Sequence, residues 1–298
     1  MIGGMALPRA RTAPLLLAAA CALLAAGCTI DGGTIDREAT GAGTENRGKA
    51  AEVAAPASQS TRTATARPSP SDPGPEPGEA TLAGATIHLD PGHAAVMPEG
   101  NPQVTDGRGG SKPCQVPGTA ARDGWPEHTF NWLMSGAIRE RLEARGATVL
   151  LTRADDDGTA DCIDERARKE NESAADLVVS LHADGSAEGN RGFHVIAVAD
   201  PLPGNDADGS AALAADLRDA LVDAGFATSN YLGEDGIHLR TDLTGLNLST
   251  KPKALVEFGN MRDSADIAVL RSEDGRARLA DAVVDGIARA LGATGTRR

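Results

Sequence analysis

The chain has 298 residues, a formal net charge of −13 and only 2% aromatic residues. The core must therefore be built mainly from Leu, Val, Ile and Ala, and the length accommodates one domain with tails or two domains. The acidic balance argues against nucleic acid as a partner, and against electrostatic capture by anionic membranes or wall polymers.

Arg9 and Arg11 precede an apolar run from Ala13 to Ala26, which ends at Gly27-Cys28. This is the pattern of an export signal over residues 1–27, and the run is short for a membrane span. Leu24-Ala25-Ala26-Gly27-Cys28 resembles a bacterial lipoprotein cleavage site, with Ala25 where the usual Leu stands. The expectation is acylation of Cys28 and anchorage to the outer face of the membrane. The alternative is ordinary cleavage nearby, giving a secreted or periplasmic protein. Residues 28–80 are rich in Pro, Gly, Ala and Thr, densest in proline over residues 67–77. Such a composition buries too little apolar area to offset ordering, so it reads as an extended tether.

From residue 81 to 298 the pattern alternates strand and helix. Strands are predicted at 84–90, 147–152, 176–181, 192–198 and 253–258, and helices at 126–145, 163–174, 208–224 and 276–291. This alternation predicts an α/β fold, a mostly parallel central sheet with helices on both faces. The stretch 94–124 has no periodicity and is full of Gly and Pro, so it is expected to border a cleft. Residues 231–248 are a second candidate for lining it.

Four residues carry the chemistry. His93 leaves the first strand through Asp90-Pro91-Gly92, a turn that presents its imidazole at the carboxyl end of the sheet. Glu127 sits in the first turn of a helix that Pro126 begins, with Phe130, Met134, Ile138 and Leu142 at helical spacing. His182 leaves the strand Leu177-Val178-Val179-Ser180-Leu181. Glu257 is embedded in Ala254-Leu255-Val256-Glu257-Phe258, where a carboxylate is costly unless paired or near a metal. Two imidazoles and a carboxylate suit catalytic zinc and leave a position for water. Glu257 is then the candidate to take a proton and return it to a leaving amine.

With these motifs the chain resembles the zinc-dependent N-acetylmuramoyl-L-alanine amidases of the type 3 group. They carry Asp-Pro-Gly-His, then Glu-x-x-x-Asn, Ser-x-His-Ala and Val-Glu-x-Gly. These match Asp90 to His93, Glu127 with Asn131, Ser180 to Ala183, and Val256 to Gly259. Residues 146–153 look like the family's second strand with its Thr-Arg ending. The resemblance covers about residues 84–292. It is strongest to the small actinobacterial peptidoglycan amidases, through Gly107 to Gly110, Cys114 and Leu246 to Leu248. It implies a three-layer fold of the phosphorylase/hydrolase type, one zinc ion held by His93, Glu127 and His182, and catalysis by Glu257. The implied substrate is peptidoglycan or muropeptides, cut between N-acetylmuramic acid and L-alanine. One departure is Ala94-Ala95 after His93, where the family usually has Gly-Gly.

Other residues are read more plainly. Cys114 and Cys162 remain once Cys21 and Cys28 are set aside, and export predicts that they pair. Asn131, one helical turn after Glu127, is placed to orient it. Arg108, Arg153, Arg240 and Arg262 are candidates for substrate carboxylates. His88 is expected to be a packed core histidine, and His128 structural or exposed. His194 and His238 either touch substrate or serve structure. Asp155 to Gly158 lacks a full set of calcium ligands and reads as a solvated turn. A monomer is expected. Two other functions compete: a zinc carboxypeptidase acting on stem peptides, and a wall-binding lipoprotein without turnover.

Overall fold

The computed structural model describes residues 81–295. The export signal, Cys28 and the tether over residues 28–80 lie outside the described residues. In chain order the elements are β1 (Thr86–Pro91), β2 (Gln103–Thr105), β3 (Ser111–Pro113), α1 (Glu127–Ala144), β4 (Thr148–Leu151), α2 (Ile163–Glu172) and β5 (Leu177–Asp184). Then follow β6 (His194–Val198), α3 (Ala207–Asp223), β7 (Ile237–Arg240), α4 (Thr244–Asn247), β8 (Lys253–Asn260), α5 (Ser264–Arg271) and α6 (Glu273–Gly295). None of the described helices is long and apolar enough to cross a membrane.

Six strands form one sheet in the order β4-β1-β5-β8-β6-β7. β4, β1, β5 and β8 are parallel, β6 runs antiparallel to β8, and β7 is parallel to β6. The parallel strands bury Val, Ile and Leu on both faces, as strands covered by helices do. Alternate residues divide the two sides. Ile87, Leu89, Val179, Leu181, Val195, Ala254 and Val256 pack with Phe130, Met134, Ile138 and Leu142 of α1, and with α3 and α6, in the main core. Each of the Val, Leu, Ile, Phe and Met side chains among them, fully buried, contributes roughly 1.5–3 kcal/mol.

The opposite face is built differently. Ile196 and Leu255 meet Leu246 of α4 in a small apolar cluster. Beside it α2 is held by charge. Arg166 pairs with Asp90, and Lys253 pairs with Glu170, all four buried. Ser180 Oγ and Thr152 Oγ1 each donate to Asp90 at 2.8 Å. Burial would raise the Asp90 carboxyl, but Arg166 and Lys253 hold it well below the usual range. Burial pushes Glu170 up to about 7 despite its Lys253 partner.

The stretch 94–124 is more ordered than its composition predicts. It contains the β2–β3 hairpin, whose turn Asp106 closes by accepting from the backbone of Arg108 and Gly110. Cys114 and Cys162 form a disulfide with Cα atoms 4.4 Å apart, tying this segment to the start of α2. β7, α4 and α5 are further elements that periodicity did not predict.

Candidate metal centre and active site

His93 follows β1 with φ at 62°, a left-handed conformation that costs a non-glycine residue energy and recurs at functional sites. Its Nδ1 lies 2.8 Å from the carbonyl of Val116. A carbonyl only accepts, so the proton sits on Nδ1 and Nε2 keeps its lone pair. That Nε2 is 3.2 Å from Oε2 of Glu127. On the other side of the carboxylate, His182 Nδ1 is 2.9 Å from Oε1. The two imidazoles meet edge to face, with centroids 4.8 Å apart.

Glu127 opens α1 after Pro126, whose φ of −81° and ψ of 152° give the extended turn into the helix. Its carboxylate accepts from the backbone N–H of Thr119 at 2.8 Å and of Ala183 at 3.2 Å. Asn131 Nδ2, one turn on, reaches the carbonyl of Gly92 at 3.1 Å and Oε1 of Glu127 at 3.4 Å. Burial would raise the Glu127 carboxyl, but the bond to His182 holds it well below the usual range. Burial lowers His182, against its bond to Glu127, so this imidazole is neutral near pH 7.

Two glycines make the approach possible. A Cβ at Gly92 would lie 2.1 Å from the His182 ring. A Cβ at Gly118, where φ is 77°, would lie 2.6 Å from both Glu127 Oε2 and the His93 ring.

One ligand atom from each of His93, Glu127 and His182 lies within 4.8 Å of the others. Imidazole nitrogens with lone pairs beside an ionised carboxylate form a donor set that fits zinc. Glu257 stands outside this set, opposite His182 in the β5–β8 register and on the same face. Burial, then the charges of Glu127 and Asp184, push its carboxyl well above the usual range. A carboxylate shifted this way is a stronger base than an exposed one, which suits it to take a proton from water and return it to a leaving amine. A cavity of about 220 Å³ opens beside His93 and His182. Lys112 and Pro113 of β3, Arg166 of α2 and Leu246 of α4 line its far walls.

The remaining predicted residues fall in varied places. The Arg108 guanidinium donates to Asn247 Oδ1 and to the carbonyls of Ala199 and Asp200, which anchors the hairpin. Arg153 is likewise spent on the carbonyls of Pro91, Asp155 and His128 and on Asp156. Arg262 reaches the Ala120 carbonyl. Arg240 pairs with Asp242, and its charge also opposes the upward shift of Glu257. His88 is a core residue against Ser173, and His128 pairs with Asp156 at 2.8 Å. Asp155 caps its turn through the N–H groups of Asp157 and Gly158. Sequence reasoning missed the Val116 carbonyl, Gly118 and the Thr119 N–H. Backbone groups carry no residue signature.

Comparison with known proteins agrees with this geometry. The family described as N-acetylmuramoyl-L-alanine amidase (Amidase_3) matches residues 87–289. N-acetylmuramoyl-L-alanine amidase Rv3717 of Mycobacterium tuberculosis is 42% identical over 220 residues, covering 74% of this chain and 91% of that protein. The crystal structure of the N-acetylmuramyl-L-alanine amidase Ami1 from Mycobacterium smegmatis superposes with a TM-score of 0.70 at 41% identity, covering 72% of this chain and 99% of that one. The apo form of Ami1 from Mycobacterium abscessus gives 0.69 at 44% identity, covering 70% and 100%. The chain belongs to the type 3 N-acetylmuramoyl-L-alanine amidase family.

Proposed function

We propose that this protein is a zinc-dependent amidase that hydrolyses the bond between N-acetylmuramic acid and L-alanine in peptidoglycan or its fragments. The observation that carries this is the convergence of His93, Glu127 and His182, with Glu257 in register on the adjacent strand. His93, Glu127 and His182 would hold the ion. When bound, zinc would polarise the scissile carbonyl and make water acidic enough to attack near neutral pH. Glu257 takes the proton from the attacking water and delivers it to the departing amine of L-alanine. Asn131 and the N–H groups of Thr119 and Ala183 keep the Glu127 carboxylate oriented.

Mass analysis of digested peptidoglycan, with and without a chelator, tests the reading. The expected products are lactyl-bearing glycan and intact stem peptides, lost on chelation and restored by zinc. Shortened stem peptides would mean a carboxypeptidase instead, and zinc binding without any product would mean a wall-binding protein.

We also propose that the protein is exported and held at the outer membrane face through acylated Cys28, with residues 28–80 as the tether that lets the catalytic domain reach the wall. The apolar run ending at Gly27-Cys28 motivates this. Mass spectrometry of the mature N-terminal peptide is expected to find diacylglycerol on Cys28. An unmodified N-terminus beyond Cys28 would mean secretion.

A further inference from the structure

β6 reverses direction beside β8 and thereby brings one more side chain level with Glu257. In the antiparallel β6–β8 register Glu257 lies opposite His194, just as it lies opposite His182 across β5–β8. Directly paired residues project to the same face with their Cβ atoms about 4.5–5.5 Å apart. The row His182, Glu257, His194 therefore crosses three adjacent strands, and the glutamate sits between two imidazoles.

His194 is only 1% exposed. Its Nδ1 is buried without a hydrogen-bond partner, and so is Oε2 of Glu257. Burial pushes the imidazole down to about 4, so it is neutral at neutral pH and has one N–H to give. The other polar groups around Glu257 are committed elsewhere. His182 Nδ1 is on Glu127 at 2.9 Å, and the Tyr231 hydroxyl donates to Asp184 Oδ2 at 2.7 Å. The Arg240 guanidinium is forked onto Asp242 at 2.8 and 2.6 Å. A neighbouring ring, His238, lies 5.5 Å from His194 and packs against it from β7. A proton-transfer carboxylate must have one oxygen free for the reaction and the other held, or it turns away from the attacking water.

We infer that His194 is a positioning residue for Glu257: its Nδ1–H, which this structure leaves unpartnered, is the donor for the equally unpartnered Oε2 during turnover, leaving Oε1 to exchange protons with water and the leaving amine. The inference rests on the reading of Glu257 as the proton-transfer group. It assigns His194 a part in the rate of the reaction and none in holding the metal or the substrate.

The test is a double-mutant cycle on the zinc-loaded protein, with kcat, KM, zinc content and Tm measured for each variant. His194→Phe should lower kcat by about 10–100-fold, with KM and zinc content within about twofold of wild type. His194→Asn, whose amide N–H stands as far from the backbone as Nδ1, should recover most of kcat. In a Glu257→Gln background, His194→Phe should cost no more than about twofold, because the group it positions is already disabled. Should His194→Phe not fold, His194→Leu serves the same cycle, since it offers no N–H to Oε2. Unchanged kcat in the single variant, or an equal loss in both backgrounds, would overturn the inference. Full turnover in Glu257→Gln alone would overturn the proton-transfer reading, and this inference with it.

Discussion

The metal site depends on atoms that are absent as much as on those present. Gly92 lets the turn after β1 pass against the His182 ring, where a Cβ would come within 2.1 Å of it. Three ring atoms of His182 would lie within 2.7 Å of that Cβ, so the ring must move, and its nitrogen is the one that sits on Glu127. Gly92→Ala should therefore retain the fold but lose most of its zinc at equilibrium, because one ligand is displaced. Circular dichroism and bound-metal analysis of the same preparation check this, and full zinc occupancy would contradict it. His93 shows a related economy. Its left-handed backbone aims Nε2 inward, and the Val116 carbonyl fixes which nitrogen carries the proton. The Ala94-Ala95 pair that replaces the usual Gly-Gly leaves this geometry intact: Ala94 is buried and Ala95 exposed.

At the scale of elements, α2 is docked by charge where α1 is docked by apolar packing. The Arg166–Asp90 and Lys253–Glu170 pairs are both buried against the sheet face that leads to the metal ligands. Such pairs are weak sources of stability but costly to break singly. Glu170 makes the pH dependence visible. Its folded pKa of about 7 lies above the ordinary value of 4.5. The folded state thus holds the proton more tightly, a contribution present in full below pH 4.5 and lost as pH rises through about 7. Glu170→Gln removes this titration. The Tm of wild type should fall relative to that of Glu170→Gln between pH 4.5 and 7, and parallel Tm profiles would refute the assignment. The β2–β3 hairpin is an element of another kind, held at its base by the Cys114–Cys162 disulfide and at its tip by Arg108. Lys112 and Pro113 of this hairpin line the same cavity as His93.

Across the whole molecule, five of the six sheet strands and the convergence of His93, Glu127 and His182 were legible because burial writes itself into sequence. β5 and β8 are apolar runs broken by His182 and Glu257, and a polar residue in such a run stands out. α1 was legible from Phe130, Met134, Ile138 and Leu142. The hairpin was not, since each strand has three residues and no apolar alternation. β7 is a half-polar edge strand of four residues, and α5 buries only Leu270, so neither shows a period. The antiparallel turn of β6 is set by its partner in space, which no local pattern encodes. That hidden reversal is also what places His194 beside Glu257. The bonds of Arg108 to the protein's own carbonyls were not legible, because a cation near a cleft reads the same in sequence whatever it faces.

The central claim is that Glu257 moves protons while His93, Glu127 and His182 hold the metal. Glu257→Gln keeps the size of the side chain and removes its basicity. Measured on purified peptidoglycan, turnover should fall by about 10²–10⁴-fold, with zinc content and Tm as in wild type. A large loss of zinc in this variant would make Glu257 a ligand, a parallel loss of Tm would make it a structural residue, and undiminished turnover would contradict the account outright.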